Sequence, residues 1–356
     1  MVRKQKFIDV DVYTEAKKRI HHIYDLHDSI AVNFSGGKDS LATLHLVWEV
    51  AQERGLKKVK VIHRDPELIH QCVVDFVAKY REYDWVDLDW YCIPVTIHKY
   101  VLGRIQEYCQ WDSRRKKVRE MPEYALKLEK GEEGRFDGGN FDEYIAYKSQ
   151  LKGKVAFING IRASEALTRL RASMNKLNDN YINASTSKKI NLCKPIFDWQ
   201  ENDVFKYFYD NKIDYCKIYD WQTYANHGLR VGSPTIAEEA KKFETMRAVD
   251  PVLYEQVVDL FPDMVLQEKY YKDTNAHRKK EILKYGQSFE GIKQWIKENI
   301  KEPNAQKIAF YELKSVMRRR IADKGAYPPD YVFKHFRSGR YRRTLMPLNK
   351  KQRKKK

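Results

Sequence analysis

Cysteine is scarce in this chain: five in 356 residues, at positions 72, 92, 109, 193 and 216, with no C-x-x-C pair. An odd, scattered set of this kind argues against a disulfide framework and fits reduced thiols in a reducing compartment. A four-cysteine site assembled only in space stays open, an iron–sulfur or zinc centre being the lesser expectation. Long apolar runs are missing as well. No stretch approaches the roughly 18 residues that span a bilayer, and the opening Met1-Val-Arg-Lys-Gln-Lys6 lacks a signal-peptide core. A cytoplasmic protein without membrane association is therefore expected. Acidic residues are outnumbered 49 to 67, which leaves a formal charge of +18. A composition of 42% hydrophobic and 13% aromatic residues suffices for a full core in one large or two smaller domains.

The most informative segment runs from Ser29 to Leu41. A β-type run, Ser29-Ile-Ala-Val-Asn-Phe34, leads into Ser35-Gly36-Gly37-Lys38-Asp39-Ser40, and an apolar-periodic helix follows with Leu41, Leu44, Val47 and Trp48 on one face. Strand, glycine turn and helix start present backbone N–H groups and the positive end of a helix to an anion. Two adjacent glycines allow φ > 0 and close approach of a phosphate. Ser35, Ser40 and Lys38 add hydroxyl donors and a point charge. The spacing is neither that of a Walker A loop nor that of a G-x-G-x-x-G fingerprint, so the reading is a nucleotide phosphate site of another type.

Further strands are expected over 58–63, 86–93 (stopped by Pro94) and 154–159, alternating with helices after Pro66 and from about Ser164. Alternation of this kind implies βαβ units and an α/β, doubly wound, mainly parallel sheet with helices on both faces. Ligands in such sheets sit beyond the carboxyl ends of the strands. The Ser35–Ser40 turn, Asp65-Pro66-Glu67 and Gly160-Ile161-Arg162 all fall at expected strand ends, which points to one shared site. Residues 103–150, with Gly131, Gly134, Gly138 and Gly139, read as an insertion or lid. From about 236 onward strand signals vanish, so a nucleotide-binding domain at 1–235 and a basic helical region at 236–356 are expected. Basic runs at 314–320, 334–343 and in the Lys350–Lys356 tail are interleaved with Tyr331, Phe333, Phe336 and Tyr341. Cations beside aromatic platforms suit nucleic-acid binding, and the tail itself reads as a disordered extension.

The hexapeptide Ser35-Gly-Gly-Lys-Asp-Ser40 resembles the PP-loop of the N-type ATP pyrophosphatases, a group that includes the PAPS reductases and tRNA- and DNA-thiolating enzymes. Gly160-x-Arg162-x-x-Glu165-x-x-x-Arg169 is similar to a PAPS-reductase-like pattern, as are Lys194-Pro195 through Trp199-x-x-x-Asp203-Val204 and the Ile218-Tyr219-Asp220 region. Together these cover roughly 25–235. Asp65-Pro-Glu67, Tyr91-Cys-Ile-Pro94 and Cys109-Gln-Trp111-Asp112 through Arg119-Glu-Met-Pro122 resemble a narrower phage- and prophage-associated subfamily. Its members are often paired with a ParB/sulfiredoxin-like partner, and Gly228-Leu-Arg230-Val-Gly-Ser-Pro234 fits that group more loosely.

The resemblance implies a PP-loop, HUP-like fold and ATP (or PAPS/APS) with Mg²⁺, an acceptor oxygen attacking the α-phosphate and pyrophosphate leaving. On that basis Gly36, Gly37, Ser35 and Ser40 would cradle the pyrophosphate, and Gly160 would belong to the nucleotide site. Lys38, Arg162 and Arg169 would neutralise charge. Asp39 and Asp65 are the candidate Mg²⁺ or ribose carboxylates, with Glu67 third. Asp39 has a plainer alternative as a partner of the helix dipole, and His63 reads as a strand residue. One departure matters: no cysteine follows Cys216, so the C-terminal thiolate motif of true PAPS reductases is absent. Cys193 and Cys109 are the nearest substitutes, a buried thiol being the simpler reading of each. A sulfonucleotide reductase and a nucleotide-sensing regulator acting with a ParB-like partner or DNA are the alternatives to adenylyl transfer.

Overall fold

The computed structural model describes residues 9–128, 136, 138–166, 169–170, 179–185, 187–271 and 273–348. The Lys350–Lys356 tail, Gly131 and Gly134 lie outside the described residues, as does part of the segment after Ser164. The first elements are helix α1 (Val12–Leu26), strand β1 (Ser29–Asn33), helix α2 (Lys38–Glu53), strand β2 (Val59–Arg64), helix α3 (Gln71–Lys79) and strand β3 (Val86–Tyr91). They are followed by β4 (Val95–Val101), β5 (Arg104–Gln110), α4 (Gly138–Lys148), β6 (Val155–Asn159), β7 (Ile182–Ala184) and β8 (Ile190–Cys193). Six strands form one sheet in the order β3-β2-β1-β6-β8-β7, and β4 and β5 form a separate pair. All neighbours in the large sheet are parallel except the β7–β8 edge pair.

This arrangement follows from residue pattern. The central strands are short apolar runs with both faces covered, as parallel strands require. On one face Val32, Val61 and Ile158 pack with Leu41, Leu44 and Val47 of α2 and with Ile20 and Ile23 of α1. On the other, Ala31, Ile62 and Phe157 pack with Phe141 and Ile145 of α4. Part of the segment expected as a lid thus supplies a wall of the core. The register aligns Asn33 with Ile62 and with Asn159, so the chain leaves β1, β2 and β6 along one edge.

The chain divides into two compact units that interleave along the sequence. One comprises Met1–Ile97, Cys109–Ser233 and Arg247–Gln256; the other comprises His98–Tyr108, Pro234–Met246 and Val257–Lys356. A single cut at 235 misses both exchanged segments, because distant partners hold them. The Tyr100 N–H donates to the Thr235 carbonyl at 2.8 Å in the second unit, and His70 meets the Asp250 carboxylate at 2.8 Å in the first.

The second unit contains helices Phe289–Asn299, Pro303–Ala322 and Pro329–Arg337. Its core holds Ile292, Trp295, Leu313, Val316, Val332, Phe333 and Phe336. Here the sequence expectation needs correction. Phe333 and Phe336 are fully buried, and Tyr341 stacks on Phe336, so these aromatics form a helical core face rather than platforms for bases. Several cations are also engaged: Arg319 donates to Glu312 and to the Leu345 carbonyl, and Arg337 pairs with Glu281. No helix among the described residues is long and apolar enough to cross a membrane.

One half-buried histidine links fold to pH. His45 of α2 lies among Tyr80 and Trp85, and burial lowers its pKa to about 4. The unfolded chain takes up this proton near pH 6.5, whereas the folded chain resists until about pH 4. Stability is therefore full above pH 6.5 and falls as pH drops, by about 2 kcal/mol at pH 5 from this group. Chemical denaturation at pH 7 and pH 5 is expected to show a smaller loss for His45→Gln than for the native chain; equal losses would contradict the assignment.

Candidate functional site

The Ser35–Ser40 turn sits where β1 meets α2. Gly36 adopts φ 75°, and a Cβ there would fall 2.8 Å from Val73 Cγ1 and 2.8 Å from Val77 Cγ2 of α3. Both backbone conformation and packing therefore demand glycine. Gly37 is the N-cap of α2. The Ser40 hydroxyl donates to the Gly37 carbonyl at 2.9 Å and accepts the Ser35 N–H at 3.2 Å; the two serine hydroxyls are 3.0 Å apart. Ser40 thus closes the loop on itself, and Ser35 Oγ remains beside the Gly37 N–H at 3.4 Å.

Lys38 is buried. Its amine donates to the Leu229 carbonyl at 3.0 Å and to Asp39 Oδ2 at 3.2 Å, with Glu201 Oε1 at 3.4 Å. Its backbone N–H donates to the Tyr219 hydroxyl at 2.6 Å. Burial raises the Tyr219 pKa well above the usual phenol value, so the group is a neutral phenol. The loop's second N–H is thereby engaged by a side chain for which the sequence reading assigned no role.

Gly160 at the end of β6 has a packing reason. A Cβ there would lie 2.4 Å from the carbonyl carbon and oxygen of Asp39 and 2.5 Å from the Ser40 nitrogen. The bare α-carbon lets the first turn of α2 rest on the strand end. Arg162, two residues on, is buried and donates from Nε to Asp39 Oδ1 at 2.6 Å, and its Nη1 meets Ser164 Oγ at 3.1 Å. Gly36, Gly37, Lys38, Asp39, Gly160 and Arg162 are therefore brought together. Arg169 instead pairs with Glu165, one turn back in sequence.

Beneath this loop lie polar side chains at neighbouring strand ends. The Asn33 amide donates to Asn159 Oδ1 at 2.9 Å, while Asn33 Oδ1 is buried without a partner among the described residues. His63 meets the Phe34 carbonyl through Nδ1 at 2.8 Å, which makes Nδ1 the protonated nitrogen. Its Nε2 is buried and unpartnered among the described residues, and burial lowers its pKa.

Asp65 and Glu67 have a different role from the one expected. Asp65 accepts from Trp90 Nε1 at 2.8 Å, from the Glu67 N–H at 2.9 Å and from Arg119. Glu67, at φ 60°, accepts from both terminal nitrogens of Arg115 at 2.8 and 2.6 Å, from the Val118 N–H at 3.1 Å and from the Trp111 N–H. Both carboxylates are fully buried with their oxygens filled, and they anchor residues 111–119 to the sheet. This donor set does not fit magnesium. Asp39 is closer to the loop, but both its oxygens face cations, and no group of three or more His, Cys, Asp or Glu side chains gathers among the described residues. All five cysteines are buried.

Sheet, loop and helices define the class: an α/β protein with a mainly parallel sheet. Residues 29–257 match the phosphoadenosine phosphosulfate reductase domain, and the chain belongs to that family. It is 26% identical over 235 residues, 63% of its length, to the uncharacterized protein YbdN of Escherichia coli (strain K12), and spans 58% of that relative. Among solved structures it is similar to phosphoadenylyl-sulfate reductase from Candida auris in a phosphate complex, with TM-score 0.33 and 14% identity, over 58% of this chain and 84% of that one. It is also similar to FMN adenylyltransferase from Candida glabrata, with TM-score 0.39 and 11% identity, over 59% of this chain and 58% of that one. Likenesses at these scores carry no weight for function.

Breaking one partner of a buried ion pair leaves an uncompensated charge, at a cost of about 3–5 kcal/mol. Arg115→Ala is expected to destabilise the fold by that order, and Glu67→Ala/Arg115→Ala by less than the sum of the single changes, in denaturant titrations. Additive single and double effects would contradict the pairing.

Proposed function

We propose that this domain binds the polyphosphate of an adenine nucleotide on the Ser35–Ser40 loop and transfers the adenylyl group to an acceptor. The observation that carries the reading is the convergence of a glycine-built helix N-terminus with the Lys38 amine and the Arg162 guanidinium at the strand edge. Backbone N–H groups and a helix dipole favour an anion at that position. An acceptor oxygen attacks the α-phosphorus, the bond to the bridging oxygen of the β-phosphate breaks, pyrophosphate leaves, and the acceptor's proton passes to water. Gly36 and Gly37 would hold the leaving pyrophosphate, while Lys38 and Arg162 would stabilise the charge that develops. Asp39 positions both cations through its two oxygens. Asp65 and Glu67 act as buttresses for residues 111–119, and no step is assigned to a protein-bound metal.

The family's reductive chemistry is the weaker reading, because no hydrogen bond or ion pair joins a cysteine to Lys38, Asp39 or Arg162 among the described residues. An anionic acceptor such as nucleic acid is favoured by the second unit. There Arg340, Arg342 and Arg343 line a cavity of about 200 Å³ with His98, Tyr341 and Glu107, the last paired with Arg342 at 3.1 Å.

Incubation with magnesium ATP and a panel of acceptors that includes single-stranded DNA and RNA tests the proposal. Acceptor-dependent release of pyrophosphate is expected, with Lys38→Ala and Arg162→Ala slower by about 100-fold or more. ATP binding without turnover on any acceptor would favour the regulator reading, in which nucleotide controls a ParB-like or DNA partner. Thiol-dependent sulfite release from a sulfonucleotide would favour the reductase.

A further inference from the structure

Two of the five scattered thiols meet in the fold. Cys72 lies in the first turn of α3, and Cys216 lies two residues before the helix Ile218–Tyr224. Cys216 Sγ donates to the Cys72 carbonyl oxygen at 3.5 Å. The segments that carry them both touch the phosphate loop. Val73 and Val77 of α3 occupy the space beside Gly36, and Tyr219 accepts the Lys38 N–H. A cavity of about 590 Å³, lined by Cys72, Asp75, Lys79, Lys217 and Asp220, opens onto the Cys72 side of the pair.

We propose that Cys72 and Cys216 form a redox pair that hydroperoxides convert to a disulfide, fastening together the two helices that hold the phosphate loop. One sulfur of the pair attacks a peroxide oxygen and the O–O bond breaks, giving a sulfenic acid and one molecule of water from hydrogen peroxide. The other sulfur then attacks the first; the S–S bond forms, the S–O bond breaks, and hydroxide leaves with the second thiol's proton as a second water. Two thiols lose two electrons and two protons, the peroxide is reduced, and a thiol reductant reverses the change.

Fastening the start of the Ile218–Tyr224 helix keeps the Tyr219 hydroxyl on the Lys38 N–H, where it competes with a phosphate oxygen. This consequence for nucleotide binding rests on the reading of the loop given above; the thiol chemistry does not.

The test treats the full reduced chain with stoichiometric hydrogen peroxide, blocks remaining thiols with N-ethylmaleimide and maps the peptides. A dithiothreitol-reversible Cys72–Cys216 link is expected, absent in Cys72→Ser and in Cys216→Ser, together with slower amide hydrogen exchange over residues 35–41 in the oxidised native chain. Peroxide consumed at other cysteines without that link, or the link formed with unchanged exchange, would overturn the proposal. The mapping uses the native chain, so a variant that fails to fold does not remove the test. ATP binding measured on the same samples is expected to weaken about tenfold on oxidation. If the reduced chain does not bind ATP at all, the nucleotide reading fails, while the peptide map and the exchange rates still decide the redox pair.

Discussion

The close approach of Gly160 to the first turn of α2 is the contact on which the site depends. With a Cβ 2.4 Å from the Asp39 backbone excluded, the helix start can sit against the end of β6. Arg162, two residues beyond that contact, then reaches Asp39 at 2.6 Å, and Asp39 in turn meets Lys38. A guanidinium, a carboxylate and an ammonium thus alternate around the glycine turn, with Asp39 joining the two cations. Removing the approach would separate the cations from the N–H groups they are placed to assist.

Around this contact the protein spends its buried charges on position. Asp65 and Glu67 leave the ends of the sheet as fully buried carboxylates, and their arginine partners lie in the segment that follows β5. Buried pairs of this kind add little net stability over apolar packing, but they fix geometry because breaking one is costly. Their effect is to hold residues 111–119 in one place. Tyr219 performs a comparable service from the other side, as a neutral phenol on the Lys38 N–H.

Much of the first unit was legible in the sequence. Parallel strands buried on both faces read as short apolar runs, and each of the three candidate turns after them falls where a strand ends. The rest depended on partners far along the chain. Asp65 and Glu67 look like ligand carboxylates until Arg119 and Arg115, 54 and 48 residues away, are seen to fill them. The cysteine pair joins residues 144 apart and has no local signature. In the second unit the interleaving of cations and aromatics suggested base-stacking platforms, but helical periodicity turns Phe333 and Phe336 into the core. The exchanged segments 98–108 and 247–256 escaped for the same reason, since only tertiary contacts assign them.

The central claim is that the Ser35–Ser40 loop receives a nucleotide polyphosphate at the N–H groups now shared with Tyr219. Calorimetric titration of magnesium ATP into the reduced native chain, Lys38→Ala and Tyr219→Phe tests it most directly. The account expects binding by the native chain, weaker binding by Lys38→Ala, and tighter binding by Tyr219→Phe, in which no hydroxyl competes for the Lys38 N–H. Indistinguishable isotherms for all three, or no binding by any, would contradict it.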